Sequence, residues 1–177
     1  MNTKILAFGA SNSSTSINQQ LAKYASGLFK KADVELLDLN DYEMPIYSID
    51  REKKDGFPQL AHDFYNKIGD ADFIVISFAE YNGAYTTAFK NIFDWMSRIN
   101  GKTFQEKPML LLATSPGTRG GSSVLKIACD RFPRQAGIVK GSFSLPSFND
   151  NFDTEKGIIS NKDLNDELLK IINSIEL

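Results

Sequence analysis

Five short apolar runs, each leading into a stretch of helical periodicity, limit what this chain can fold into more than any other feature. The runs occupy 4–8, 34–39, 72–78, 109–113 and a segment within 138–145. Between and after them, apolar spacing predicts helices over about 17–29, 58–68, 86–99, 122–132 and 161–175. The run Asp72-Phe73-Ile74-Val75-Ile76-Ser77-Phe78 is almost wholly apolar and β-branched, which suits a strand covered on both faces. Strands that alternate with helices pair in parallel, because each helix carries the chain back along the sheet and covers it. The expectation is an α/β fold of three layers, a five-stranded parallel sheet between helices, in one domain spanning 1–177. Two stretches, 40–56 and 149–157, read as irregular connections.

Sheets of this kind bind ligands beyond the carboxyl ends of their strands, where strand order reverses. In the order 2-1-3-4-5, the loops after the first, third and fourth strands line one crevice. The first is the most informative. Seven of the eight residues from Ser11 to Asn18 carry a hydroxyl or an amide, and no charged residue lies between Lys4 and Lys23. A strand that empties through such a loop into a helix offers free N–H groups, a helix dipole and hydroxyl donors to a phosphate. The same residues also serve as ordinary helix caps. The second loop, 79–86, sets Tyr81 and Tyr85 around Asn82-Gly83, a turn pair whose glycine permits close backbone approach and whose tyrosines offer flat surface to a ring. The third, 114–122, holds Gly117, Gly120 and Gly121, whose N–H groups suit the carbonyls of a heterocycle, and Arg119.

Composition removes several function classes. Twenty basic and 22 acidic side chains leave a net charge of −2, which provides no electrostatic case for nucleic acid or a polybasic membrane anchor. No apolar run approaches a bilayer span, and the first strand is too short for a signal-peptide core, so a soluble cytoplasmic protein is expected. One cysteine, Cys129, and one histidine, His62, form no metal-ligand spacing. Cys129 falls on a helical pattern and reads as structural.

Taken together, Gly9-Ala10-Ser11 through Ser16-Ile17-Asn18, then Glu80-Tyr81-Asn82-Gly83 with Lys90-Asn91 and Asp94-Trp95, then Ser115-Pro116-Gly117-Thr118-Arg119-Gly120-Gly121 resemble the NAD(P)H-dependent FMN reductase family. That family has a flavodoxin-like fold and includes quinone, azo-dye and chromate reductases. The resemblance covers about 4–145. It implies FMN as cofactor and NADPH or NADH as co-substrate, with hydride passing by alternation to a quinone, azo compound or free flavin. It implies that Ser11, Ser13, Ser16, Ile17 through its N–H, and Asn18 hold the FMN phosphate. Glu80, Tyr81, Asn82 and Gly83 would line the isoalloxazine ring, and Ser115 and Gly117 its pyrimidine end. No catalytic acid or base and no metal is implied; Glu80 in a loop is more often solvated or a helix cap. Two positions depart from the pattern: Ser13 stands where many members carry arginine, and Ala79 where proline is common. A flavodoxin-type electron carrier is the rival reading, although 11–16 lacks the glycine of its usual phosphate loop. Arg119 and the segment 44–47 are expected at the substrate opening. Large apolar groups spread around the helix at 86–99 (Phe89, Phe93, Trp95, Met96) suggest a covered face, hence a homodimer or, less directly, a homotetramer.

Overall fold

The computed structural model describes residues 2–176. Strands β1 (Thr3–Ala10), β2 (Ala32–Leu37), β3 (Phe73–Phe78), β4 (Pro108–Thr114) and β5 (Ile138–Leu145) form one sheet in the order β2-β1-β3-β4-β5. All four pairings are parallel, as the alternation requires. The ladder of β4 and β5 shifts register between Met109 and Leu110, so Lys140 lies outside the pairing.

The side-chain period of two divides the strands between two cores. Leu6, Phe8, Ile74, Ile76, Phe78 and Leu111 point to one face, where α3 (Gln59–Asp70), α4 (Thr87–Ile99) and α5 (Ser122–Arg131) cover them. Ile5, Ala7, Phe73, Val75, Leu110 and Leu112 point to the other, beneath α1 (Ile17–Gly27) and α7 (Lys162–Asn173). The first core is strongly aromatic: Phe78, Phe89, Phe93, Phe104 and Phe132 touch in a chain of edge, stacked and tilted contacts. Such pairs add about 0.5–1.5 kcal/mol each beyond area burial.

Both stretches read as irregular contain structure. Within 40–56, Leu39–Tyr42 makes a 3-10 turn and Ile49–Asp55 forms helix α2. Ser48 caps α2 by accepting the Arg51 N–H, Asp50 and Glu52 sit at its positive end, and Gly56 closes it. Within 149–157, helix α6 (Phe148–Asn151) leads into β6 (Phe152–Asp153), which pairs antiparallel with β7 (Ile158–Ile159). Phe152 and Ile159 are buried in the second core.

The apolar groups of α4 are covered within the protomer. Phe89, Phe93 and Met96 face the sheet-side core, while Trp95 lies under residues 45–57. The Trp95 indole N–H donates to the Pro45 carbonyl at 2.8 Å, and Tyr47 and Phe57 meet its ring edge-on. The spread of apolar residues around α4 therefore reflects a strap of the same chain, not a face left bare for a subunit.

Candidate functional site

The loops after β1, β3 and β4 converge at the carboxyl end of the sheet, tied to one another by buried side chains. Asn18, only 2% exposed, accepts the Thr114 N–H through Oδ1 and donates through Nδ2 to the Thr114 carbonyl, both at 3.1 Å. The same Oδ1 accepts the Ser77 hydroxyl at 2.7 Å. Thr86 Oγ1 donates to the Ala10 carbonyl at 3.0 Å and also caps α4. Gln19 joins β1 to β2, accepting the Gly9 N–H at 2.6 Å and donating to the Leu37 carbonyl at 2.8 Å. At Gly9 the strand end lies so close to α1 that a Cβ would stand 2.5 Å from the Gln19 nitrogen.

The first loop folds on its own hydroxyls. Ser11 Oγ accepts the Ser13 N–H, the Ser13 carbonyl accepts the Ser16 N–H, and Ser16 Oγ caps α1 by accepting the Gln19 N–H. Among the described residues, the N–H groups of Ile17 and Asn18 have no acceptor. They are the free donors of a helix N-terminus. Asn18 thus brings its backbone, not its side chain, to the crevice. The place expected for Asn18 at the phosphate therefore falls to its N–H, because its side-chain amide is consumed inside the fold.

In the second loop, Tyr81 and Ala84 exchange two backbone hydrogen bonds across Asn82-Gly83. Both turn residues have positive φ, 53° and 77°, which defines a type I′ hairpin and favours this residue pair. Tyr81 projects outward, 52% exposed. Tyr85 does not join it: its ring packs among Phe78, Phe89 and Phe132, and burial pushes its phenol well above the ordinary range. The flat surface at the crevice is Tyr81 alone. Glu80 Oε2 accepts the Val124 N–H at 2.9 Å in the first turn of α5, so it caps the helix after the third loop. It is a tether between the second and third loops.

In the third loop the Ser115 and Gly117 carbonyls accept the N–H groups of Phe148 and Ser147, which anchors the loop from behind. Gly120 and Gly121 are buried, and Arg119 is exposed.

These loops enclose a cavity of about 240 Å³. Ser11, Ser13, Ser16, Ile17 and Asn18 wall it on one side, Glu80 and Tyr81 on another, Ser115 and Pro116 on the third. Asn82 and Gly83 stand at the hairpin tip and Gly117 beyond Pro116, outside that lining. A second cavity of about 130 Å³ continues past the first loop to Gln20 and Asp38. A third, of about 250 Å³, lies on the far side of Tyr81 between Asn12, the 3-10 turn and α4, with Met44 and Ile46 in its wall. Of the segment 44–47, Met44 and Ile46 are walls of this third cavity; Arg119 lines none of the three. Asn91 and Trp95 hold this wall in place: Asn91 Nδ2 donates to the Met44 carbonyl at 3.0 Å and its Oδ1 accepts the Tyr47 N–H at 2.9 Å. Sequence reading passed over Gln19, Ser77, Thr114 and Asp38, none of which belongs to a recognisable local pattern.

Among the described residues no group of three or more His, Cys, Asp and Glu is placed to hold a metal, and no helix is long and apolar enough to cross a membrane. Burial pushes the half-buried Cys129 thiol up, in keeping with a structural role.

A parallel sheet in this order, with a hydroxyl-lined helix N-terminus opening at its switch point, defines a flavodoxin-like α/β protein. Comparison with known proteins narrows the class: the model of the family described as NADPH-dependent FMN reductase matches residues 3–150, and the chain belongs to that family. It is 32% identical to the uncharacterized protein MG342 homolog of Mycoplasma pneumoniae, over 86% of this chain and 93% of that one. It is 34% identical to a quinone reductase of Escherichia coli over 45% of this chain and 43% of the other, so that match spans under half of either. An NADPH:quinone oxidoreductase of Arabidopsis thaliana is 27% identical over 88% of this chain and 82% of its own. Among solved structures, the flavoenzyme FerB of Paracoccus denitrificans superposes with a TM-score of 0.77 at 20% identity, covering 97% and 94% of the two chains, a likeness of fold.

Proposed function

We propose that this protein is an NAD(P)H-dependent FMN reductase that passes reducing equivalents to a small acceptor such as a quinone, an azo compound or free flavin. The observation that carries this reading is the meeting, in one crevice, of two free helix N-terminal N–H groups, a hydroxyl-rich loop and the Tyr81–Ala84 hairpin, in a chain of this family. The donor set fits FMN. Ile17 and Asn18 N–H, with the hydroxyls of Ser11, Ser13 and Ser16, suit the phosphate. Glu80, Tyr81, Asn82 and Gly83, with Ser115 and Gly117, suit the ring and its pyrimidine edge. When bound, FMN supplies hydride acceptance and donation, chemistry that no side chain of the protein provides. The chain binds and orients: the hairpin and third loop present backbone to the ring, while Glu80, held by Val124, keeps the two loops in register. The family match favours the reductase over a flavodoxin-type carrier.

The cavity beyond Tyr81, walled by Met44 and Ile46, is the space proposed for the acceptor. A homodimer is proposed on the exposed apolar side chains Ile46, Ile49 and Phe57 of the strap, where a second copy would border that space. Use of NAD(P)H points to the cytoplasm, where reduced nicotinamides are consumed. The decisive experiment is the visible spectrum of the purified protein after incubation with FMN and desalting, then after anaerobic NADPH or NADH. Retained flavin bands that bleach support the reductase. Bands that persist with either nucleotide would leave the carrier, and no retained colour together with no quenching of flavin fluorescence at saturating FMN would remove the flavin reading.

A further inference from the structure

The phosphate end of the crevice is unusual in its charge. None of the residues lining the two cavities beside the first loop is Lys, Arg or His. Two carboxylates do line them, Asp38 in the outer cavity and Glu80 in the inner one. The charge of Glu80 is directed at the Val124 N–H and the positive end of α5. Asp38 is differently placed. It leaves β2 just past Leu37 and caps the 3-10 turn through Oδ1 alone, which accepts the Asn40 N–H at 2.9 Å and the Asn40 Nδ2 at 2.8 Å. Its other oxygen takes no donor and forms no ion pair among the described residues. Of the remaining charged groups nearby, Lys23 lies a turn along α1 in the groove against Phe152, Asp41 sits on the 3-10 turn, and exposed Arg119 lies in the third loop; none lines the cradle.

The α1 N-terminus sets about half a positive charge at the inner cavity, and Asp38 sets a full negative one at the outer cavity, across the shared wall of Ser11, Ser13, Thr15 and Ser16. Its serine and threonine hydroxyls donate and accept equally well, so they serve a protonated phosphate oxygen as readily as a bare one. We propose that this cradle discriminates against the doubly charged phosphate, and that Asp38 is the residue that sets the discrimination. The protein then takes FMN whose phosphate carries one charge in preference to the FMN dianion, and riboflavin, which has no phosphate, is the reference. This rests on the flavin reading above. A phosphate monoester gains its second charge near pH ~6. FMN binding accordingly weakens as pH rises through that value, while riboflavin binding does not change. Salt screens the repulsion from an exposed carboxylate, so added salt leaves FMN affinity level or raises it, the opposite of a site built on an arginine.

The test is titration of both flavins into the whole protein, followed by flavin fluorescence, at about pH 6 and about pH 8 and at low and high salt. The expected result is FMN binding about two- to fivefold tighter at the lower pH, the range an exposed charge pair spans, with riboflavin level. Asp38→Asn keeps the oxygen that caps Asn40 and removes the charge; it should tighten FMN at the higher pH by a similar factor and leave riboflavin unchanged. Ser13→Arg should tighten FMN by roughly tenfold and make its binding fall with salt. The proposal is overturned if FMN binds more tightly at the higher pH and loses affinity in salt, or if Asp38→Asn leaves FMN unchanged while riboflavin still binds. Binding of neither flavin under any condition overturns the flavin reading itself, and this proposal with it.

Discussion

Asn18 separates two accounts of the first loop, because a phosphate ligand and a structural tether respond differently to its removal. In the structure, Asn18→Ala deletes three hydrogen bonds and strands the Thr114 N–H, the Thr114 carbonyl and the Ser77 hydroxyl. Ser77 and Thr114 are themselves buried, so water cannot replace all three partners. Each net bond is worth about 0.5–1.5 kcal/mol, and a stranded buried group costs about 1–3. Allowing one group to find water, the loss comes to about 3–5 kcal/mol, a large part of the roughly 5–15 typical of a domain. For a chain of this size that lowers Tm by roughly 6–20 °C. The assay is urea and thermal unfolding of the flavin-free protein, by circular dichroism and by fluorescence of Trp95. Without flavin, a residue that served only the phosphate would make no difference. Ser13→Ala is the comparison, since Ser13 is exposed and its hydroxyl has no partner among the described residues; it should stay within about 0.5 kcal/mol of the parent. An Asn18→Ala protein that unfolds within about 1 kcal/mol of the parent would refute the tether.

Gly9→Ala places a methyl 2.5 Å from the backbone of α1, which cannot yield without moving the cradle; a loss of about 1–3 kcal/mol and weakened FMN binding should appear together in melts and titrations. Glu80→Gln retains an oxygen for the Val124 N–H but removes the charge at the start of α5, so a loss of about 0.3–1 kcal/mol is expected from denaturant unfolding. Trp95→Phe loses the bond to the Pro45 carbonyl and should cost about 1 kcal/mol, read as faster proteolysis within 44–57. The strap is also sensitive to acid. The Arg98 guanidinium and then the Tyr47 hydroxyl, both bonded to Glu52, hold its carboxyl below the ordinary value of 4.5. A lowered carboxyl stabilises above its unfolded value and loses that contribution as pH falls through its folded one. Trp95 emission should therefore stay level from neutral pH to about 4.5 and change only below it, an effect absent in Glu52→Gln.

The sheet was legible because its signal is redundant. Five strands each carry an apolar run, and the central ones, such as Phe73–Phe78 with every residue buried, demand cover on both faces. The Tyr81–Ala84 hairpin was legible for a local reason, since Asn-Gly suits two positive φ angles in succession. Helix α2 escaped because its signals are at its ends. Ser48, the acid-to-base gradient and Gly56 mark a helix, but with Ile49 as its one aliphatic residue it has no stripe to show a period. The apolar faces of α4 misled in the opposite direction: periodicity reveals that Trp95 must be covered, not whether the cover is a second chain or residues 45–57 of the same one.

The site was less legible than the fold, and the reason lies in the chemistry of an amide. Asn18 in a loop of hydroxyls looks the same in sequence whether it faces a phosphate or the fold, because the same two atoms donate and accept in either place. What decides is Thr114, 96 positions away, whose backbone comes level with the α1 N-terminus only once the sheet has formed. Glu80 and Val124, 44 apart, are a second case. Both tethers spend side chains that a motif would assign to ligand, and at the first loop the donors left facing the crevice are the Ile17 and Asn18 N–H groups. Rigid backbone donors keep their aim when no ligand is bound, so a cradle of this design can release a flavin and take another without refolding its loops.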